Sequence, residues 1–154
     1  MSPFNAFLTI QGVETLPLRM ERHNANAVRV ASFLVERPEA TAVIHPSRQT
    51  GVAAERAAKY LKGGQGGLVG FEIKGGREAG KRFIEALKLF YHVANIGDAR
   101  SLAIHPATTT HSQLSAQDQL ATGVSESYVR LSIGIEPIDD ILADLDQALK
   151  ASAG

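Results

Sequence analysis

The sequence has no cysteine among its 154 residues, so no disulfide framework holds it and no thiolate chemistry is open to it. Neither sign of charge is in excess. Sixteen basic and 16 acidic residues cancel, which argues against binding driven by a strong electrostatic field, as on nucleic acid or an anionic membrane. No apolar run approaches the roughly 18 residues that a membrane span needs. The start, MSPFNAFLTIQGVE, lacks the basic segment and small-residue cleavage site of a secretory signal. These absences are compatible with the cytoplasm. What is present is an ordinary globular composition, 44% hydrophobic and 21% charged, in a length that suits one domain with a real core.

The chain opens on an apolar, helical pattern with almost no leader, whereas domains usually begin with a few loose residues. The expectation is that Met1 stands inside something larger. Phe4, Phe7 and Leu8, then Met20, Ala27, Ala31, Leu34 and Val35, recur at helical spacing. Pro17 lacks an N–H and clashes with the turn before it, so residues 3–36 should form two consecutive helices with a break near 14–18. Strands are predicted at 41–45, 67–74, 91–95, 101–106 and 128–134. Helices are predicted at 52–62 and 77–89, after a Ser115 cap with Asp118 three residues on, and from Pro137 to the end. The last helix has a buried stripe of Ile138, Ile141, Leu142, Leu145 and Leu149. The order ααβαβαββαβα implies an α+β (α/β) fold: one mixed or antiparallel sheet with helices packed on it.

Two glycine-rich stretches invite a phosphate-binding reading. GGREAGKR (75–82) nearly matches G-x-x-x-x-G-K-[ST] between a strand and a helix. Arg82 stands where the metal-binding hydroxyl belongs, Glu78 puts negative charge where phosphate would sit, and Lys81 falls in the helix rather than on a loop. A left-handed glycine turn followed by a solvated helix face accounts for it better. GGQGGLVG (63–70) precedes a strand, whereas a dinucleotide fingerprint follows one, so it reads as a mobile loop. The histidines are scattered. His23, His105 and His111 lack partners at metal-ligand spacing, so surface or capping roles are expected and no metal site. No nucleophile elbow of the form G-x-S-x-G occurs.

Two polar positions at apparent strand ends remain. Asn95, beside the Gly97-Asp98 turn, offers a donor and an acceptor. Arg130, in the alternating strand YVRLSIG, offers a planar fork that suits a carboxylate or phosphate. Together they could hold a small anion. Equally, asparagine forms turns and arginine reaches to solvent. The residue types favour the surface reading, because exposed arginine is the norm.

Longer stretches shift that balance. SPFNAF, QGVETLPLRMERHNANA, ANIGDARSLAIHPATTTHSQL and YVRLSIGIEPIDDILADLDQAL together resemble the C-terminal part of the Cys/Met-metabolism enzymes. These are the pyridoxal-phosphate (PLP) transsulfuration enzymes, and the wording of ANIGDA and HPATTTHSQLS is most similar to their O-acetylhomoserine sulfhydrylase branch. The resemblance implies a fold-type I PLP enzyme whose large PLP domain is absent here. Residues 1–36 would be interdomain helices and 37–154 the C-terminal substrate-binding domain. It also implies that Arg130 binds the substrate α-carboxylate, with Asn95 at the second contact. The family's Schiff-base lysine lies in a T-K-x-x-x-G-H segment. None of the six lysines here does (59, 62, 74, 81, 88 and 150), so no catalytic residue is expected in this chain.

The implied reaction of the complete, homotetrameric enzyme replaces the acetate of O-acetylhomoserine by sulfide or methanethiol, giving homocysteine or methionine. The resemblance equally admits a methionine γ-lyase or a cystathionine γ-synthase or lyase, and the residues alone admit a non-catalytic carboxylate-binding module. A natural truncation, a split gene and a misplaced start all match the missing segment. Phe4, Phe7, Leu8 and Ile10 of the first helix are expected to pack on the missing domain.

Overall fold

In the computed structural model, which describes residues 1–153, the alternating segments pair into one five-stranded sheet. The strands are β1 (Ala40–Ile44), β2 (Leu68–Ile73), β3 (Tyr91–His92), β4 (Leu102–Ile104) and β5 (Tyr128–Ser132), in the spatial order β1-β2-β5-β4-β3. All neighbours are antiparallel except β3 and β4, which run parallel. The sheet is therefore mixed, with the apolar alternating strand β5 at its centre.

Six helices complete the fold: α1 (Pro3–Glu14), α2 (Leu16–Val35), α3 (Gly51–Tyr60), α4 (Gly76–Ala86), α5 (Ala116–Ala121) and α6 (Ile138–Ser152). The break between α1 and α2 falls at Thr15, with Pro17 in the first turn of α2, where its missing N–H costs nothing. Ser115 caps α5, its hydroxyl accepting from the Asp118 N–H at 3.2 Å.

The period of two sorts β5 and β2 into faces. Val129, Leu131 and Ile133 join Val69, Phe71 and Ile73 in the core, covered by α2, α4 and α6. Phe71 and Phe83 meet edge to face, their centroids 5.4 Å apart, the arrangement that ring quadrupoles favour. The opposite face carries Gly70, Tyr128, Arg130 and Ser132.

Several elements end earlier than their patterns suggest. β3 ends at His92 rather than residue 95, because Val93 and Asn95 turn back on themselves, their N–H groups donating to the Tyr91 and Val93 carbonyls. α4 ends at Ala86, since the chain turns extended at Leu87. There the carboxylate of Asp144, on α6, accepts from the N–H groups of Lys88, Leu89 and Phe90. β1 stops at Ile44, and His45 instead caps a short 3-10 turn, Pro46–Arg48.

The glycine stretches are packing devices. In α4, a side chain at Gly80 would sit 2.6 Å from the His105 ring, so glycine lets the helix close onto that imidazole. Lys81, in the second turn, pairs with Glu78 at 2.8 Å, and Arg82 donates to the Ser152 carbonyl at 2.7 Å. The loop at 63–67 is docked rather than loose. Gly66 N–H donates to Asn24 of α2 at 2.7 Å, and a side chain at Gly64 would collide with the Asn24 amide.

Three of the five histidines depart from a surface role, although His45 does cap a turn. His23, His45 and His105 are buried. His105 is held between the Glu126 carbonyl at 2.8 Å and the Thr108 hydroxyl at 2.9 Å. Burial lowers its pKa, which favours the neutral ring.

Candidate functional site

Arg130 sits mid-strand on the face away from the helices, opposite Gly70 on β2 and Ile104 on β4. It is half-buried and makes no ion pair with any described residue. Its Nη2 donates to the backbone carbonyl of Asn95 at 3.4 Å, across 35 residues of chain. The structure therefore brings together the two positions singled out in the sequence, with the asparagine's main chain rather than its side chain facing the guanidinium. The Asn95 side chain is exposed, and its Oδ1 accepts from the Ile96 N–H at 2.9 Å. Among the described residues none accepts from its amide NH2, which can donate to a ligand.

An apolar cleft of about 260 Å³ adjoins Arg130, lined in part by Ile44, His45, Leu68, Gly70 and Tyr128. The Tyr128 ring lies over Gly70, where a β-carbon would come within 2.6 Å of it. Burial raises the Tyr128 pKa, and Glu72 adds to the rise against the opposing pull of Arg130, so the phenol stays protonated beside the guanidinium. His45 accepts the Ser47 N–H at Nδ1, and its buried Nε2 has no hydrogen-bond partner among the described residues. Burial lowers the His45 pKa as well. Among the residues lining this cleft, Arg130 carries the one permanent positive charge, the feature that attracts a carboxylate.

Behind the site is a polar network absent from the sequence expectations. The 95–101 turn is tied to the end of β5 by Gly97 N–H donating to Ser132 Oγ at 3.3 Å and Ile135 N–H donating to the Ala99 carbonyl at 2.9 Å. The Glu136 carboxylate accepts from the Ser101 N–H at 2.6 Å and the Ser101 hydroxyl at 2.9 Å, while that hydroxyl accepts from the Gly134 N–H at 2.9 Å. From α2, Asn26 Nδ2 donates to the carbonyls of Gly134 and Glu136, both at 3.0 Å, and His23 Nδ1 donates to the Ile133 carbonyl at 2.6 Å. A side chain at Gly134 would meet the Ala99 carbonyl at 2.5 Å. A signal for the α2 pair was present. His23 and Asn26 continue the inward stripe of Ala27, Val30, Ala31 and Leu34 at spacings of three and four, and polar residues on a buried stripe need buried partners.

The described residues do not make a seat for PLP on their own. A lysine that holds such a cofactor must be sheltered and free, whereas here Lys59, Lys62, Lys74, Lys88 and Lys150 are exposed and Lys81 is paired with Glu78. Among the described residues no group of three or more His, Cys, Asp or Glu could hold a metal ion. Among the described residues no helix is long and apolar enough to cross a membrane.

The sequence model of the Cys/Met metabolism PLP-dependent enzymes matches residues 1–150. An O-acetyl-L-homoserine sulfhydrylase of Leptospira meyeri is 56% identical over 97% of this chain and 34% of its own length. An L-methionine gamma-lyase of Pseudomonas putida is 46% identical over 99% of this chain and 38% of its own. A crystal structure of an O-acetylhomoserine (thiol)-lyase from Campylobacter jejuni, containing a pyridoxyl-lysine monophosphate, superposes with a TM-score of 0.88 at 41% identity, over 97% of this chain and 36% of that one. The chain thus spans about a third of the length of these relatives. It belongs to the Cys/Met metabolism PLP-dependent enzyme family.

Proposed function

We propose that this chain is the substrate-gripping C-terminal part of an O-acetylhomoserine sulfhydrylase, in which Arg130 and Asn95 hold the α-carboxylate of the amino-acid substrate. The observation that carries the reading is a half-buried guanidinium on an open sheet face, without an ion-pair partner and beside an apolar cleft. An arginine left so poised is matched by a planar anion. PLP supplies the electron-withdrawing chemistry in the complete enzyme, and its seat lies in a domain other than this one. Residues 1–36 lead in from that domain, and residues 37–154 form the substrate-binding part. The complete enzyme is a cytoplasmic homo-oligomer. It exchanges acetate for sulfide or methanethiol at the γ-carbon of O-acetylhomoserine, and this chain alone is inactive.

Arg130 acts by placing the substrate. Pinning the carboxylate fixes where the rest of the amino acid points, and orientation of this kind contributes several kcal/mol, on the order of 3, to a rate. In a complete enzyme reconstituted around this chain, Arg130→Ala should raise KM about a hundredfold while PLP absorbance is retained. Loss of PLP together with substrate affinity would assign Arg130 a different role. The 46% identity to a methionine γ-lyase supports γ-elimination as a second reading. Product analysis separates the two, since the sulfhydrylase forms homocysteine or methionine and the lyase releases a thiol.

A further inference from the structure

We infer that Glu136 is a positioning residue for the carboxylate grip, acting through Ser101 to hold the 95–101 turn in register with Arg130. The inference rests on the reading that Arg130 and Asn95 bind a carboxylate. The two halves of that grip come from different parts of the chain and touch through one long contact, 3.4 Å between Arg130 Nη2 and the Asn95 carbonyl. A contact of that length on an exposed turn does not fix a geometry. Shorter bonds farther back do.

Ser101 is fully buried and uses every polar atom the clamp requires. Its N–H and hydroxyl go to the two oxygens of Glu136, and its oxygen receives Gly134 N–H. A carboxylate accepting two donors is stronger than a neutral acceptor and fixes direction as well as distance. The clamp lies just beyond the last residue of β5, and Arg130 is on that strand. Asn26 and His23 brace the same backbone from behind, so the Glu136 side of the clamp is rigid and the turn is the part being held. Without Glu136 the turn would lose its one charged acceptor outside the turn itself among the described residues and keep only neutral bonds to residues 132–135, among them Gly97 to Ser132 at 3.3 Å, Ile135 to Ala99, and Gly134 N–H to the Ser101 hydroxyl. Asn95 would then no longer be presented at a set distance from the guanidinium.

The test uses the full 154-residue chain, labelled with nitrogen-15 and titrated with O-acetyl-L-homoserine. The Arg130 Nε–H, the Asn95 side-chain amide and the Gly97 and Ser101 backbone amides are followed by NMR. In the unaltered chain the Arg130 and Asn95 signals should move together and fit one Kd. In Glu136→Ala the Gly97 and Ser101 amides should exchange with solvent at least about tenfold faster, Asn95 should stop responding, and the Kd read at Arg130 should rise about tenfold. Glu136→Gln keeps one acceptor for the Ser101 N–H and should recover part of the loss.

Asp144→Asn, a buried change on α6 that shares no hydrogen bond with the clamp, controls for general loss of stability and should leave the titration within about twofold of the unaltered chain. A Glu136→Ala chain that titrates like the original overturns the proposal, and so does an Asp144→Asn chain that loses affinity equally. If Glu136→Ala does not fold, Ser101→Ala decides in its place: an unchanged Asn95 response there overturns the clamp. The underlying grip is judged separately by Arg130→Ala. Abolished binding with unchanged Gly97 and Ser101 exchange supports it. Unchanged binding overturns the grip and, with it, the positioning role.

Discussion

Helices α1 and α6 have similar apolar content and opposite fates. Ile141, Leu145, Ala148 and Leu149 of α6 form one stripe and are fully buried, with α6 packed on α4 and α2. α1 buries no residue: Phe4 is 67% exposed, Phe7 55% and Ile10 57%. At 3.6 residues per turn, the apolar residues of α6 stay within one narrow sector, whereas Phe4, Phe7, Leu8, Ile10 and Val13 spread around more than half of α1. A helix apolar on most sides is one made to be buried on most sides, and an exposed apolar patch of this kind marks a docking surface. The comparison separates two meanings of hydrophobic pattern. In α6 it encodes the fold of this chain. In α1 it encodes a need for burial that this chain does not meet, in line with the proposed lead-in from a PLP domain.

Four measurements sharpen or break that comparison. The largest effect should come from Leu145→Ala, which empties a fully buried site between α4 and α6 and should cost about 2–5 kcal/mol in chemical denaturation. A cost below about 1 kcal/mol would mean that α6 is not part of the core in solution. Next, Asp144→Asn weakens the carboxylate that receives the N–H groups of Lys88, Leu89 and Phe90. About 1–3 kcal/mol should be lost, because those donors are left without a charged acceptor.

The third concerns acid. Burial lowers the pKa values of His45 and His105 below their ordinary 6.5, so the unfolded chain takes up protons that the folded one refuses. Their contribution is fully present above pH 6.5 and is lost as pH falls through that value toward the lower folded pKa values. Denaturation midpoints should therefore fall between about pH 7.5 and about pH 5.5. The fall should shrink in His105→Gln, and an equal fall in that variant would remove His105 from the account. The smallest change in stability, within about 0.5 kcal/mol, should come from Phe7→Ser on α1, together with a marked drop in binding of a hydrophobic dye. Destabilisation matching that of Leu145→Ala would show α1 packed into this chain and end the contrast.

Much of the fold was legible because the patterns are local. Period two in β5 and β2, period 3.6 in α4 and α6, and Pro17 at the helix break each follow from a few neighbouring residues. The strand and helix ends were less legible, because distant groups set them. Asp144 turns the chain out of α4 from 55 residues away, and the backbone bonds of Val93 and Asn95 stop β3 short. Of the site, the residue types were readable, since a guanidinium on an alternating strand and an asparagine at a glycine turn are both suited to an anion. Glu136 gave no such signal. Its value lies in a partner, Ser101, that is 35 positions away.

By itself the sequence determined the order of helices and strands, the core face of β5, the family, and the presence of one cationic fork able to take a carboxylate. These are consequences of side-chain chemistry and short-range periodicity. Only the tertiary structure decided that Arg130 lies beside Asn95, that His23, Asn26, Ser101 and Glu136 are braces rather than surface, and that Gly80 and Gly134 are spaces where ring and backbone come close. Each of these depends on antiparallel register and helix-to-sheet distance. Those are fixed by many weak contacts summed over the whole core, and no local stretch of sequence contains that sum.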